Sequence, residues 1–197
     1  MHQITRRALL GAAPLLAMPL PALASATPAV PPAVLARALA AHERYRDRLD
    51  GRGRIVIADF ARPSRAPRFH LVQADGRHVA SLLVAHGKGS DPAHTGFLQR
   101  FSAEHGSEAT SAGAYASAEE YHGKHGASMR LDGLEPSNAT ARDRAIVLHG
   151  AWYVSDVMVA GTGKIGRSQG CFAVAPRDLR SVMDWLGQGG LIWAERA

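Results

Sequence analysis

Cysteine is almost absent from this sequence: Cys171 is the only one among 197 residues. A single thiol has no partner for an internal disulfide, which excludes a fold held together by such bonds. In an oxidising compartment a lone thiol is buried and inert, paired with another chain, or kept reactive. Because a buried free cysteine often serves as a small hydrophobic residue, the neighbours of Cys171 have to decide its role.

Metal-binding motifs are also missing. The sequence contains neither an HExxH pattern nor a second cysteine, which are the usual marks of zinc sites. His122 and His125 lie three residues apart, but on an extended segment their rings would point to opposite sides. We therefore expect no metal and no other cofactor.

Apolar runs of membrane-spanning length are scarce as well. At the N-terminus, the basic pair Arg6 and Arg7 precedes an apolar stretch over 8–23, which prolines interrupt and small residues close at 22–26. This order is typical of a secretory signal peptide, and the arginine pair resembles a twin-arginine signal. A membrane-spanning helix, in contrast, needs about 20 mostly apolar residues. The sequence predicts a signal peptide over 1–26, export to the periplasm or cell envelope of a bacterium, and no stable membrane span.

The remaining composition is that of an ordinary globular domain, with 46% hydrophobic and 20% charged residues. The net charge is +6, which inside a cell would raise nucleic acid as a partner. For an exported protein we expect no nucleic acid; the expected anionic partners are the lipids and carboxylate-bearing peptides of the cell envelope. The alternative is that the positive charge only keeps the protein soluble.

Periodicity and turn signals predict one mainly β (α+β) domain with one or two helices. Residues 27–50 are interpreted as a proline-rich linker and an N-terminal helix, and the domain is expected over 51–197. The predicted elements are a helix over 33–51, a strand over 54–60, a hairpin over 68–87 that turns at Asp75-Gly76, a strand over 144–150, a helix over 176–190 and a strand over 191–195. Between 102 and 144, weak periodicity indicates long ordered loops with short strands at 114–117 and 127–131.

His149 and Cys171 form a candidate nucleophilic pair. A thiol needs a nearby base or a positive field to act as a nucleophile. His149 ends the apolar run "AIVLH", and a glycine-rich segment separates it from Cys171, 22 positions later. That segment can fold back, Gly170 permits a tight turn, and the backbone N–H groups of 169–171 can face an oxyanion. The alternative is a structural histidine beside a plain turn.

Several motifs in a fixed order resemble the murein L,D-transpeptidase catalytic domain family, within the YkuD-like L,D-transpeptidase superfamily. They are "YHGKHG" at 121–126, "RLDGLE" at 130–135, "AIVLHG" at 145–150, a tyrosine-valine-serine at 153–155 and "GRSxGC" at 166–171. The resemblance covers residues 50–195. It implies a mixed β-sandwich of two packed sheets, with the nucleophile in a cleft between loops.

The resemblance also implies a chemistry. Cys171 would attack the carbonyl of the L-centre in an L,D-peptide bond of a peptidoglycan stem peptide, while His149 would hold its proton and return it to the departing D-amino acid. The thioester on Cys171 would pass to the amine of a second stem by transpeptidation, or to water by carboxypeptidation. Stem peptides are thus the expected partners, carbapenem-type compounds the expected inhibitors, and a monomer the expected state.

Two positions depart from the family pattern. Gln169 replaces the usual histidine before Gly-Cys, and Ala173 replaces an arginine that is common two places after the cysteine. Gln169 can form hydrogen bonds but cannot titrate. Arg167 would then clamp a substrate carboxylate, since a guanidinium binds carboxylates through two parallel hydrogen bonds; the alternative is a solvated loop arginine. Ser168, Gln169 and Gly170 are predicted positioning or oxyanion residues, with Ser168 either orienting the histidine or capping the turn.

Tyr121, Lys124 and His125 are predicted to contact the substrate from a loop that lines the cleft, the alternative being an exposed loop without function. Two other functional classes remain open. One is a metal-dependent wall peptidase that uses several of the ten histidines. The other is a wall-binding module that kept the fold and lost the chemistry, against which the intact pair of His149 and Cys171 argues.

Overall fold

The computed structural model describes residues 30–196. The predicted signal peptide over 1–26 lies outside the described residues, as does most of the proline-rich stretch that follows it. The prediction of export therefore stays a prediction.

The described chain contains three α-helices and nine β-strands. The helices are α1 (Pro32–Arg44), α2 (Asp156–Thr162) and α3 (Pro176–Leu186). The strands are β1 (Arg54–Asp59), β2 (Phe69–Gln73), β3 (His78–Leu82), β4 (Val84–Ala85), β5 (Gly113–Gly123), β6 (Gly126–Gly133), β7 (Val147–Gly150), β8 (Phe172–Val174) and β9 (Leu191–Glu195). The mainly β class is confirmed, with three helices where one or two were expected.

The strands pair in the order β3-β2-β1-β9-β5-β6-β7-β8-β4. The pairs β1–β9 and β7–β8 are parallel and the others antiparallel, so the sheet is mixed as predicted. Although five strands separate β2 from β8 in this order, the rings of Phe69 and Phe172 stack at 6.3 Å. A single continuous sheet therefore folds over its own core and forms the two layers of the sandwich.

Helix α1 packs on the outer side of this sheet. Its first residue is Pro32, which suits the first helical turn because its missing N–H would have no partner there. Val34, Ala38 and Ala41 recur at helical spacing and are buried, in one cluster with Ile55 of β1. The helix was predicted to reach residue 51 but ends at Arg44, and the chain continues as a short 3-10 helix over Arg46–Arg48.

The segment 102–144 differs most from expectation. Instead of long loops with short strands, it contains the hairpin β5–β6, whose 11- and 8-residue strands turn at Lys124 and His125. Three of the buried residues of β5 are alanines, Ala114, Ala116 and Ala118, which carry little β signal. Beyond a register shift between Ser117 and Glu120, the hairpin carries its tip past the edge of the buried sheet.

Candidate active site

The parallel strands β7 and β8 place His149 and Cys171 side by side. His149 pairs in register with Ala173, and Cys171 immediately precedes β8. Both residues line one cleft with a volume of about 280 Å³. The residues that line the cleft are Tyr121, Lys124, His125, Arg144, Ala145, Val147, His149, Tyr153, Arg167, Ser168, Gln169 and Cys171.

The imidazole of His149 is buried and its tautomer is defined by its partner. Nδ1 lies 2.9 Å from the carbonyl oxygen of Gly150, and because a carbonyl only accepts, Nδ1 carries the proton. The lone pair of Nε2 is then available for a proton. Burial lowers the pKa of His149, and the positive charge of Lys124 acts in the same direction. His149 is therefore a neutral imidazole at neutral pH.

The thiol of Cys171 is largely buried. Cys171 is 8% exposed, and its Sγ–H donates to the carbonyl oxygen of Ala145 over 3.5 Å. Burial raises the pKa of this thiol, while a hydrogen bond from the Val147 backbone and the charges of Lys124 and Arg144 oppose the increase. The resting state is thus a protonated thiol at the wall of the cleft.

Two cations that lie close to Cys171 in the sequence, Lys164 and Arg167, are bonded to backbone carbonyls. Lys164 Nζ donates to the carbonyl of His94 over 2.6 Å. The guanidinium of Arg167 lines the cleft but donates to the backbone carbonyls of Asp91 and Pro92. This arrangement holds the Arg167 loop in place.

Ser168 closes the turn before the cysteine. Its hydroxyl donates to the carbonyl of Cys171 over 2.7 Å and accepts the N–H of Gly170 at 3.2 Å. Of the two roles that the sequence left open, capping the turn is the one that these contacts serve. In this conformation the Gly170 N–H is engaged by that hydroxyl rather than directed at the cleft.

Only glycine fits at position 170. Its φ is +115°, a region that other residues rarely adopt. A Cβ there would lie 2.7 Å from Cδ1 of Ile146 and 2.9 Å from the carbonyl oxygen of Ala109. Gly170 therefore allows the chain to turn tightly between two packed segments just before the thiol.

Gln169 is exposed and lines the cleft. Its Nε2 donates to the carboxylate of Glu108 over 3.1 Å. The same carboxylate pairs with Lys88 at 2.7 Å. Gln169 thus ties the turn to the neighbouring 102–111 loop at the edge of the cleft.

A buried polar network supports the turn from behind. The N–H of Ser168 donates to the carbonyl of His86 over 2.9 Å. The fully buried guanidinium of Arg68 donates to Nδ1 of His86 at 2.8 Å and to the carbonyl of Val84. Burial and the Arg68 charge lower the pKa of His86 to about 3, so this histidine is neutral and structural.

The hairpin tip covers His149. The ring of His125 stacks on the ring of His149 with centroids 4.3 Å apart and planes 18° apart. Lys124 and Tyr121, from the same hairpin, also line the cleft. The guanidinium of Arg130 lies 4.6 Å from the centroid of the Tyr121 ring. All three hairpin residues predicted to contact substrate therefore border the cleft.

Two cleft residues were not singled out from the sequence. Arg144 donates to the carbonyls of Ser102 and Ala109 at 2.8 Å and 2.6 Å, which fixes the 102–111 loop beside the thiol. Tyr153 follows β7, and burial raises its pKa to about 12, with a further contribution from Cys171. Arg144 stands directly before an apolar strand and Tyr153 belongs to a quoted motif, but neither position identifies its role without the fold.

The charged side chains that line the cleft are basic. Lys124, Arg144 and Arg167 line it, and none of the described residues that do so is Asp or Glu.

Across residues 30–196, no three side chains of His, Cys, Asp or Glu come together as metal ligands. Over the same residues, no helix combines the length and apolar character needed to cross a bilayer.

A curled mixed β-sandwich with a thiol and an imidazole on adjacent strands defines the class of this protein. The chain belongs to the L,D-transpeptidase catalytic domain family, whose model matches residues 26–194. This confirms the resemblance found in the motifs and supports an enzyme with a peptidoglycan-related function.

Several solved structures are similar to this chain at low sequence identity. The helical cell shape determining protein Pgp2 from Campylobacter jejuni, as a variant, is 12% identical over 85% of this chain and 57% of its own, with a TM-score of 0.50. An L,D-transpeptidase from Xylanimonas cellulosilytica is 18% identical over 73% and 60%, with a TM-score of 0.42. One from Mycobacterium tuberculosis H37Rv is 11% identical over 73% and 58%, with a TM-score of 0.46.

The chain spans less than two thirds of the length of these structures. None of the curated proteins compared with it matches.

Proposed function

We propose that this protein is an exported, cysteine-dependent L,D-transpeptidase that acts on peptidoglycan stem peptides. One observation carries the proposal: the single thiol of the chain and an imidazole with a free Nε2 line the same cleft. A neutral thiol beside a neutral imidazole is the starting state for nucleophilic catalysis by general-base activation.

The first half-reaction forms a thioester. His149 Nε2 takes the proton from Cys171 as the sulfur attacks the carbonyl carbon of the L-residue in an L,D-peptide bond. The tetrahedral oxyanion then collapses, the C–N bond breaks, and the imidazolium of His149 returns the proton to the departing amine. The D-amino acid leaves, and the L-residue remains bonded to Cys171 through its carbonyl carbon.

The second half-reaction regenerates the thiol. The amine of a second stem attacks the thioester carbonyl and gives a proton to His149, and the C–S bond breaks as the sulfur recovers a proton. The product is a cross-linked peptide. Water in place of the amine gives L,D-carboxypeptidation by the same residues, so the balance between the two products is an outcome of the experiment below.

The charge of the cleft supports an anionic peptide as substrate. Stem peptides carry carboxylates, and among the described residues that line the cleft three are cations and none is acidic. Lys124 is exposed at the hairpin tip and can reach a substrate carboxylate, with Tyr121 and His125 beside it. Arg167 adds positive charge from the opposite loop, although its Nη1 is already bonded to backbone carbonyls.

Export is part of the proposal because of the N-terminal sequence. Arg6 and Arg7, the apolar stretch and the small residues at 22–26 occur in the order of a signal peptide. Mass spectrometry of the protein recovered from a bacterial envelope fraction should show a new N-terminus near residue 26. Recovery of the full-length chain from the cytoplasm alone would overturn this part.

The enzymatic proposal is tested by mass spectrometry of purified wall peptides incubated with the protein. Wild-type protein should release a D-amino acid and form cross-linked or trimmed stems. Cys171→Ser should abolish this activity, and His149→Ala should lower it by about 10²–10⁴-fold, the usual cost of losing a general base. His122→Ala is the matched control, because His122 lies on the same hairpin but does not line the cleft.

Two further measurements separate the alternatives. A carbapenem should add its mass to Cys171 in the wild type and not in Cys171→Ser. Activity that a chelator abolishes and a thiol-alkylating agent spares would instead favour a metal-dependent peptidase. Binding to purified wall without any peptide product would leave a wall-binding module.

A further inference from the structure

The stack of His125 on His149 is the closest contact between the hairpin tip and the proposed base. The two imidazoles are nearly parallel, 18° apart, at a centroid distance of 4.3 Å. His125 stands in the two-residue turn between β5 and β6. His149 lies on β7, whose register partner on β6 is Ser128, three residues after His125. The tip of the hairpin thus curls back over the imidazole that its own strand flanks.

The proposed base has no anionic partner. In cysteine and serine nucleophile sites, a carboxylate commonly orients the histidine and stabilises the imidazolium that forms during reaction. Here Nδ1 bonds instead to the neutral carbonyl of Gly150, and the charged side chains among the described lining residues are all cations. When His149 takes the proton of Cys171, its positive charge therefore arises in a positively charged cleft.

We propose that His125 is a positioning residue for His149: its ring face holds the imidazole in place while Cys171 gives up its proton. This inference rests on the proposed function, in which His149 is the base. His125 gains and loses no proton in it. The proton moves from Sγ to Nε2 of His149 and from there to the leaving amine.

The geometry suits this role. A parallel aromatic stack at this distance contributes beyond the area it buries. The partner ring has to be neutral, because two imidazoliums face to face would repel. Burial and the neighbouring Lys124 charge lower the pKa of His125, which keeps it neutral at neutral pH.

Gln169 cannot titrate and is bonded to Glu108, so the segment before the cysteine supplies no second imidazole. His125 brings a second imidazole to the cleft from the hairpin, against the face of the base.

The test compares two variants that differ in whether they keep a ring. His125→Phe retains a planar aromatic face without a titratable group, whereas His125→Ala removes the face. We expect kcat of His125→Ala to fall about two- to tenfold, which is what a stack of this kind contributes, and His125→Phe to recover most of that loss in kcat. The control His122→Ala should match the wild type.

The pH profile distinguishes a positioning role from a second base. Other titratable or charged groups also face the pair and are unchanged in these variants: Cys171, Tyr121, Lys124, Arg144, Tyr153 and Arg167. The acid limb of kcat/KM should persist in His125→Phe because His149 produces it. Loss of that limb, or a His125→Phe variant as slow as His125→Ala, would overturn the proposal, as would full activity in His125→Ala.

A measurement without substrate separates this inference from the proposed function. Long-range ¹H–¹⁵N correlation spectra should show His149 in a single Nδ1–H tautomer in the wild type and in His125→Phe. In His125→Ala the loss of the covering ring should give exchange between tautomers. If the wild type proves inactive on stem peptides, the proposed function fails while this readout still tests the stack. An unchanged single tautomer in His125→Ala would contradict the positioning role.

Discussion

The Nδ1–H of His149 donates to the carbonyl oxygen of its neighbour Gly150 over 2.9 Å. The Nδ1 proton of the base is thus accepted by the backbone of its own strand, where a carboxylate side chain often accepts it. The hydrogen bond to the Gly150 carbonyl raises the pKa of His149, but burial lowers it by more, so the pKa lies below its usual value. The consequences for pH dependence follow directly.

The activity should extend to lower pH than an ordinary histidine permits. Catalysis needs neutral His149, so the rate falls only as the pH drops through its lowered pKa, below the usual value of about 6.5. On the alkaline side, the raised pKa of Cys171 should keep the thiol protonated beyond its ordinary value of about 8.5. Measurement of kcat/KM against pH should give a broad bell. An acid midpoint at or above 6.5 would contradict the assigned burial of His149.

The thiol should react slowly with alkylating agents at neutral pH. Because burial raises the pKa of Cys171, the rate of iodoacetamide modification should rise with a midpoint above about 8.5. Lys124→Gln should move that midpoint further upward, since the Lys124 charge favours the thiolate. Lys164→Gln is the control, because Lys164 is bonded to the His94 carbonyl. Rapid modification at pH 7 would show that the thiol is more exposed than described.

Gly170→Ala should disrupt the turn before the thiol. The added Cβ meets the backbone of Ala109 and the end of Ile146 at a φ of +115°, so strain and overpacking together should cost about 2–4 kcal/mol. Gly163→Ala is the matched control, because Gly163 also has a positive φ, +73°, but open space around it, and should cost about 1 kcal/mol. Urea unfolding compares the two. Equal costs would mean that the contacts at position 170 relax freely.

The protein should lose stability in acid through its buried histidines. Burial lowers the pKa of His70 to about 4, with smaller contributions from Arg62 and His78. The unfolded chain then binds protons more readily than the folded one, so stability is full above about pH 6.5 and falls as the pH decreases towards 4. The loss from His70 alone is on the order of 1–3 kcal/mol.

Urea unfolding at a series of pH values measures this loss. His70→Gln cannot titrate and should show a shallower decrease below pH 6.5. His122→Ala, on the exposed hairpin, should keep the wild-type slope. Stability that is flat between pH 7 and 4.5 would be inconsistent with a neutral buried His70.

Loss of the buried guanidinium of Arg68 should lower the free energy of unfolding more than loss of an exposed guanidinium. Arg68→Met leaves the carbonyl of Val84 and Nδ1 of His86 without their donors and should lower the free energy of unfolding by about 3 kcal/mol or more. Arg180→Met breaks contacts with Glu120 and Asp184, but on the surface, and should have little effect. Similar losses in the two variants would refute the role of burial.

Sequence alone predicted the parts of the fold in which local signals are strong. The hairpin β2–β3 turns at Asp75-Gly76 with Gly76 at a φ of +86°, and α3 begins at Pro176 as expected. Helix α2 was missed because it spans only seven residues, although Ser155 caps it. Strand β8 was missed because three residues carry no periodicity.

The candidate site was predictable in its members but not in its contacts. His149 and Cys171 could be paired from motif order, whereas their electrostatics depend on burial that no spacing reveals. The stack of His125 on His149 depends on how far the β5–β6 hairpin extends, and the alanines of β5 hide its length. Arg144 could not be assigned because its partners lie 33–42 positions earlier in the chain.

Because β7 and β8 pair in parallel, the geometry of the site depends on whether this edge of the sheet stays folded. His149 and Cys171 face the same cleft only while Leu148 stays opposite Phe172, since a slip of one residue would turn one side chain to the other face. Beyond β8 the sheet ends in the two-residue strand β4. Fraying that begins at this short border would separate base from nucleophile while the opposite half of the sandwich is still intact. Thermal inactivation should therefore precede the loss of bulk β-structure, and amide exchange should be faster in β4 and β8 than in β1 and β9.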